Sequence, residues 1–384
     1  MQTRVNSLEE VKDPTFISKT IRVLPLKLLL ILLMFLVLCA VFTFISLNTF
    51  KSFGFNTMVG VVKPSYEPCI GEKSGFNQFI TQFSSNLMHK MSDEELFWRA
   101  TFVPRIKKYP FERTPKIAFM FLTKGPLPLA SLWERFFKGH EGRFSVYIHS
   151  LPTYTQEFPS SSVFYGRHIP SKPAEWGKMS MCDAEKRLLA NALLDISNEW
   201  FILLSESCIP LYNFSIIYNY ISRSKNSFIG AFDDPGPYGR GRYNENMAPE
   251  VNITQWRKGS QWFELDRRLA INVVEDTTFY PKFEAFCKPH CYVDEHYFPT
   301  MLTIRAADLI ANRSITYVDW SRGGAHPATF GKGDITEEFF KKILENKTCK
   351  YNGRNSSICF LFARKFAPSS LQPLLELSPS VLGF

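Results

Sequence analysis

The chain has 384 residues, 45% of them hydrophobic and 21% charged, which is too much apolar material for disorder along its whole length. Thirty-six Phe within an aromatic share of 15% predict a substantial buried core, and at ~150 residues per domain the length allows one large domain or two modest ones. A formal charge of +9 suits an anionic nucleotide-sugar, membrane-surface or nucleic-acid partner, but no RNP, zinc-finger or basic-zipper pattern is present, and nucleic acid is set aside.

Residues 28–47 form an uncharged apolar run, LLLILLMFLVLCAVFTFISL. At ~1.5 Å rise per residue its twenty residues span ~30 Å, a bilayer's hydrocarbon thickness. A cleaved signal peptide has a shorter apolar stretch followed by a small-residue cleavage site, so this run reads as a signal anchor held in membrane lipid. Lys19, Arg22 and Lys27 crowd its N-terminal side, against Lys51 and Lys63 beyond it. Positive-inside then gives a single-pass type II protein: residues 1–27 a cytosolic tail, everything after 47 luminal.

Residues 48–112 read as a luminal stem with Gly, Pro and Ser punctuation and one helical patch at Ser92–Trp98, whose Ser92-x-x-Glu95 spacing is a capping box. From residue 113 to 384 the pattern becomes one α/β domain. Ile117–Leu122 is a continuous apolar run, as a parallel strand buried on both faces requires. A helix follows from Pro128 to about Lys138, then strand Phe144–His149, a helix around Met181–Asn198 and strand Trp200–Leu204. Residues 216–223 read as helix and Phe228–Phe232 as strand. Ser260–Leu265 reads as a strand feeding a helix through about Asp276. A strand near Ile315–Asp319, a helix from Thr336 to about Asn346 and an apolar segment at Cys359–Phe366 complete the order. This alternation predicts a mainly parallel central sheet.

Outside the span lie seven cysteines, an odd number. Cys287-x3-Cys291 and Cys349–Cys359 can each close a small loop, while Cys287, His290, Cys291 and His296 offer an alternative zinc set less suited to an oxidising lumen. Five Asn-x-Ser/Thr sequons, at Asn213, Asn252, Asn312, Asn346 and Asn355, are candidate glycosylation sites.

No Asp-x-Asp occurs, so no strand-end carboxylate pair is marked out to hold a divalent ion against a diphosphate. Leaving-group charge would then fall to fixed cations, with Arg240, Arg242, Arg257, Lys258, Arg322, Arg364 and Lys365 as candidates. Glu206 follows a buried strand, at the sheet edge where ligands bind. Asp233-Asp234 occupies a similar position and opens a rigid basic loop running to Arg242. Asp294 and Glu295 open a helix. One of them can serve as a base for an acceptor hydroxyl, the other as a dipole partner or cap.

The segments Leu203-Leu-Ser-Glu-Ser-Cys-Ile-Pro-Leu, Trp256-Arg-Lys-Gly-Ser-Gln-Trp-Phe and Cys291-Tyr-Val-Asp-Glu-His-Tyr resemble the core-2/I-branching β-1,6-N-acetylglucosaminyltransferase family, especially its plant-type branch. Tyr317-Val-Asp-Trp-Ser-Arg-Gly-Gly-Ala-His-Pro and Phe362-Ala-Arg-Lys-Phe extend the resemblance, which covers roughly residues 113–368. It implies a GT-A-like fold, a UDP-sugar donor, inversion at the anomeric carbon and no metal cofactor. By motif it implies Glu295 as the catalytic base, Lys365 as a UDP-phosphate contact and Trp320 as an acceptor-stacking ring. The partner cation for the phosphates is assigned to Arg322 or His326, and Asp233, Arg240, Arg242 and Glu206 are taken as acceptor-binding residues. The sequence departs from the animal pattern where Ile148-His149-Ser150 replaces the uridine-contacting His-Val-Asp. The expectation is a Golgi type II glycosyltransferase acting on a glycan or glycoprotein acceptor. Its rival is a catalytically silent glycan-binding protein on the same fold. A sulfotransferase loop at Lys73-Ser74-Gly75 lacks the strand it would need.

Overall fold

The computed structural model describes residues 26–52, 87–104, 108–109, 111–288, 291–345 and 347–384. The expected tail up to residue 25, most of the stem, Lys73–Gly75, His290 and the Asn346 sequon lie outside the described residues. The chain divides into two compact units, Met1–Gly71 and Glu72–Phe384.

In the first unit Leu26–Ser52 is a single 27-residue helix without an acidic residue in its first turn. Its described side chains are those of residues 27 and 30–45, all exposed, including Phe35, Phe42 and Phe44. Among the described residues no helix is long and apolar enough to cross a membrane. Of the span expected over 28–47, the side chains of residues 28, 29, 46 and 47 lie outside the described ones.

The second unit begins its packing upstream of residue 113. Helix Asp93–Ala100 starts on the expected capping box: Glu95 N–H donates to Ser92 Oγ, and Ser92 N–H donates to Glu95 Oε2 at 2.7 Å. The helix buries Leu96 and Ala100 against helix Met179–Leu193, and Asp93 takes a two-pronged contact from Arg187, 2.9 Å on each arm. A segment placed in the stem on composition therefore belongs to the domain's packing.

The main sheet has the order β2 (Phe144–His149), β1 (Lys116–Leu122), β3 (Asn198–Ser205), β5 (Glu264–Asp266); the first three are parallel and β5 runs antiparallel to β3. β1 is buried on both faces, and its alternation divides the core. Ala118, Met120 and Leu122 pack with Leu188 and Leu189 of helix Met179–Leu193. Ile117, Phe119 and Phe121 pack with Leu132, Trp133, Phe136 and Phe137 of helix Ala130–Phe137. Trp133 also donates from Nε1 to the Cys208 carbonyl at 3.1 Å, satisfying its polar edge in the core. A second sheet, ordered β4 (Ile209–Pro210), β9 (Phe362–Arg364), β6 (Thr316–Val318), carries the C-terminal motifs. β7 (Cys349–Tyr351) and β8 (Arg354–Ser356) form a separate hairpin.

Two expected elements differ. The helix expected through Asn198 stops at Leu193, because Asp195 Oδ1 accepts from Ser197 N–H at 2.8 Å and turns the chain into β3. Phe228–Phe232 forms only isolated bridges, Phe228 to Glu264 and Phe232 to Lys258, since between them Ala231 N–H is diverted to Asn312 Oδ1 at 2.7 Å. Disulfides join Cys287 to Cys291 and Cys349 to Cys359, so Cys287 and Cys291 are spent on each other and the zinc set dissolves.

Candidate active site

A cleft of about 870 Å³ opens beyond the C-terminal ends of β1, β2 and β3, lined there by Thr123, His149, Ser205 and Glu206. This is where parallel sheets leave room for ligands, because the loops diverge from the strand ends. The opposite wall comes from the 258–262 segment, Asp294-Glu295, the loop after β6 and the end of β9.

Glu295 stands at one end. Tyr292, in the left-handed region at φ 57°, turns the chain out of the Cys287–Cys291 loop into the 3-10 turn Val293–Glu295. Glu295 N–H closes that turn on the Tyr292 carbonyl at 2.9 Å, and its own carbonyl accepts from Gly259 N–H at 2.7 Å. A side chain at 259 is excluded: its Cβ would lie 2.0 Å from the Gly230 carbonyl oxygen and 2.8 Å from Pro299. The carboxylate lies 3.6 Å from Arg242 and 3.5 Å from Lys258, and the Arg242 guanidinium sits 4.2 Å over the Tyr292 ring.

Its neighbours behave otherwise than expected. Asp294 caps nothing: helix Tyr297–Ala306 has no side-chain cap. Asp294 is instead buried at 3% exposure, and burial, followed by the Glu295 charge, pushes its carboxyl up to about 7. His296 is fully buried on the Trp256 ring, with its Nδ1–H directed at the Tyr292 carbonyl at 3.1 Å. Burial takes its pKa down to about 4, so it is neutral and the nearby charge comes from Arg242 and Lys258.

At the far end Lys124, Arg364, Lys365 and His326 line the cleft beside Glu206. The Arg364 guanidinium lies 3.9 Å over the Trp262 ring, and its Nε is buried without a partner. Burial, then Arg364, lowers the Lys365 ammonium; burial, then Lys365, Arg364 and Lys124, lowers His326. None of Lys124, Arg364 and Lys365 has a carboxylate in ion-pair contact among the described residues. Trp176 joins the two ends along one wall, its ring 4.9 Å from Tyr292 and 5.1 Å from His326.

Of the residues singled out from sequence, Glu295, Lys365, His326, Trp320 and Glu206 line this cleft, Trp320 with half its surface exposed. Arg242 reaches it through Glu295. Arg322 does not line it: the side chain is exposed and 3.9 Å from Asp334. Asp233 and Arg240 are also off the lining, closed on each other by two 2.7 Å contacts at the surface. Arg364 was one cation among seven in sequence, although it adjoins Lys365 in the same motif. Lys124 was legible from its place just past β1. Trp176 had no motif signal, lying in a loop of Pro and Gly. His149, at the departure from the animal pattern, is almost fully buried in the cleft wall, and burial brings its pKa down to about 4. Asn252, Asn312 and Asn355 are exposed, whereas Asn213 is half-buried and caps helix Phe214–Ser222 by accepting from Ile216 N–H at 3.0 Å.

A mainly parallel sheet with a cleft at its strand ends is the arrangement of an α/β glycosyltransferase domain. Residues 117–344 match the model of the Core-2/I-Branching enzymes, and the chain belongs to that family. It is 38% identical over 309 residues to glycosyltransferase BC10 of Oryza sativa subsp. japonica, a match covering 68% of this chain and 76% of that relative. The likeness supports the plant-type branch of the family.

Proposed function

We propose that the chain transfers a sugar, N-acetylglucosamine in our reading, from a UDP donor to a glycan hydroxyl in one inverting displacement that needs no metal. The observation that carries this is one cleft lined both by an acid held between two cations and by Lys124, Arg364 and Lys365, which have no ion-pair carboxylate among the described residues. The acceptor oxygen attacks the anomeric carbon while Glu295 takes its proton, and the bond from that carbon to the diphosphate oxygen breaks. Lys365 and its cationic neighbours then meet the charge that collects on UDP, and Trp320 offers its exposed ring to the acceptor.

The Golgi location and type II topology rest on the apolar run 28–47, the Lys/Arg asymmetry around it and two disulfides suited to an oxidising lumen. The exposed sequons Asn252, Asn312 and Asn355 are open to glycosylation there. Protease added to sealed microsomes should spare the C-terminal domain, and its digestion would overturn the topology.

Detergent-solubilised full-length chain, given UDP-N-acetylglucosamine and a panel of glycans, should release UDP and lengthen an acceptor in the presence of EDTA. Loss of activity in EDTA with rescue by manganese would remove the metal-independent mechanism. Tight glycan binding without turnover on any donor would favour the silent binding protein.

A further inference from the structure

Two carboxyl groups behind the base have no part in the displacement. Asp294 lines the cleft while only 3% exposed, and its Oδ1 is buried without a hydrogen-bond partner. Glu185, from helix Met179–Leu193, is fully buried. Its Oε1 accepts from Gln261 Nε2 at 2.8 Å, and its Oε2 has no partner. Neither acid has a cation in ion-pair contact among the described residues. Burial raises the Glu185 carboxyl well above the usual range, with the charge of Asp294 as the second cause. A buried acceptor left open on a cleft wall is costly unless something that enters the cleft completes it.

We propose that Asp294 is a binding residue for a hydroxyl of the transferred sugar, acting as a neutral acid backed by Glu185. A neutral carboxyl both donates and accepts, as a sugar hydroxyl does, and it places no second negative charge beside Glu295. The sugar is assigned to the donor by depth. Asp294 lies inward of Glu295, whose side chain keeps 25% of its exposure. Glu295, held by Arg242 and Lys258, is the more exposed of the two acids and is left to the acceptor. The inference rests on the UDP-sugar reading above.

The test compares UDP with UDP-N-acetylglucosamine by calorimetry on the full chain. Asp294→Ala should weaken the sugar nucleotide by roughly tenfold or more, with UDP affinity held within about twofold. Asp294→Asn, which keeps a neutral polar group of the same shape, should stay within about threefold of wild type on both ligands. An Ala variant that weakens both ligands equally or neither, or an Asn variant as damaging as Ala, overturns the proposal. Because Glu264 is a further buried carboxyl raised by burial, the second readout is the infrared difference at pH 6 between wild type and the Glu185→Gln/Asp294→Asn double variant. A protonated-carboxyl band lost in the variant is expected, and the absence of such a difference overturns the neutral acid. Failure of wild type to bind UDP at all shows before any substitution and sinks the donor reading itself.

Discussion

At the Glu295 end of the cleft the protein answers its own charge: Arg242 and Lys258 flank the carboxylate at 3.6 and 3.5 Å, and the adjoining acid is raised toward neutrality. At the other end Lys124, Arg364 and Lys365 stand together without a paired carboxylate among the described residues, with only Glu206 on the lining beside them. Keeping like charges close is unfavourable, and a cleft with low-dielectric walls focuses their field outward. The difference separates the end that is electrostatically complete from the end that is completed by an incoming anion.

Glu295→Gln attacks the complete end and should have the largest effect. Turnover is expected to fall by ~10²–10⁴ with UDP affinity little changed, because the amide keeps the shape but cannot take the proton. If the Gln variant keeps more than about a third of wild-type turnover, the base is elsewhere.

His296 tests whether that end is kept free of further positive charge. Its folded pKa is about 4, below the ~6.5 of an unfolded imidazole, so the unfolded chain binds the proton first. The stability from keeping the ring neutral is fully present above pH 6.5 and is lost as pH falls toward 4, by up to about 3 kcal/mol. Urea unfolding of wild type and His296→Gln at pH 7, 6, 5 and 4.5 should show the steeper acid loss in wild type. Equal slopes would mean that the imidazole is not buried in its neutral form.

At the open end, Lys365→Ala should weaken UDP binding by ~1.5–3 kcal/mol, the range for a charge-assisted contact. Arg322→Ala is the matched control and should change UDP affinity by less than about twofold, since that side chain is exposed and faces Asp334. Equal losses from the two substitutions would erase the distinction between cleft cations and surface cations.

Strand β1 was legible because Ile117–Leu122 is a continuous apolar run buried on both faces, and β2 and β3 because their apolar stretches, Val146–Ile148 and Trp200–Leu204, follow in strand–helix alternation. The 228–232 segment was not, since its apolar residues obey strand composition while its backbone bonds go elsewhere. In the site, motif and strand-end position brought out Glu295, Lys365 and Glu206, which the fold gathers on one cleft. Arg322, Asp233 and Arg240 lie off the cleft lining, and the sequence did not show this, because it does not say which charged side chains are closed on an opposite charge at the surface. Trp176 could not be found, as its position depends on contacts with rings more than a hundred residues away.

Helix Asp93–Ala100 bears on where this protein can be cut. Arg187 is almost wholly buried, and Asp93 is its carboxylate partner. A protease that clips the chain before Ser92 leaves a domain with that pair intact. A clip after Ala100 removes Asp93 and strands a guanidinium in the packing, a loss of about 3–5 kcal/mol for a broken buried pair. A stable fragment released by proteolysis should therefore carry this helix at its N-terminus.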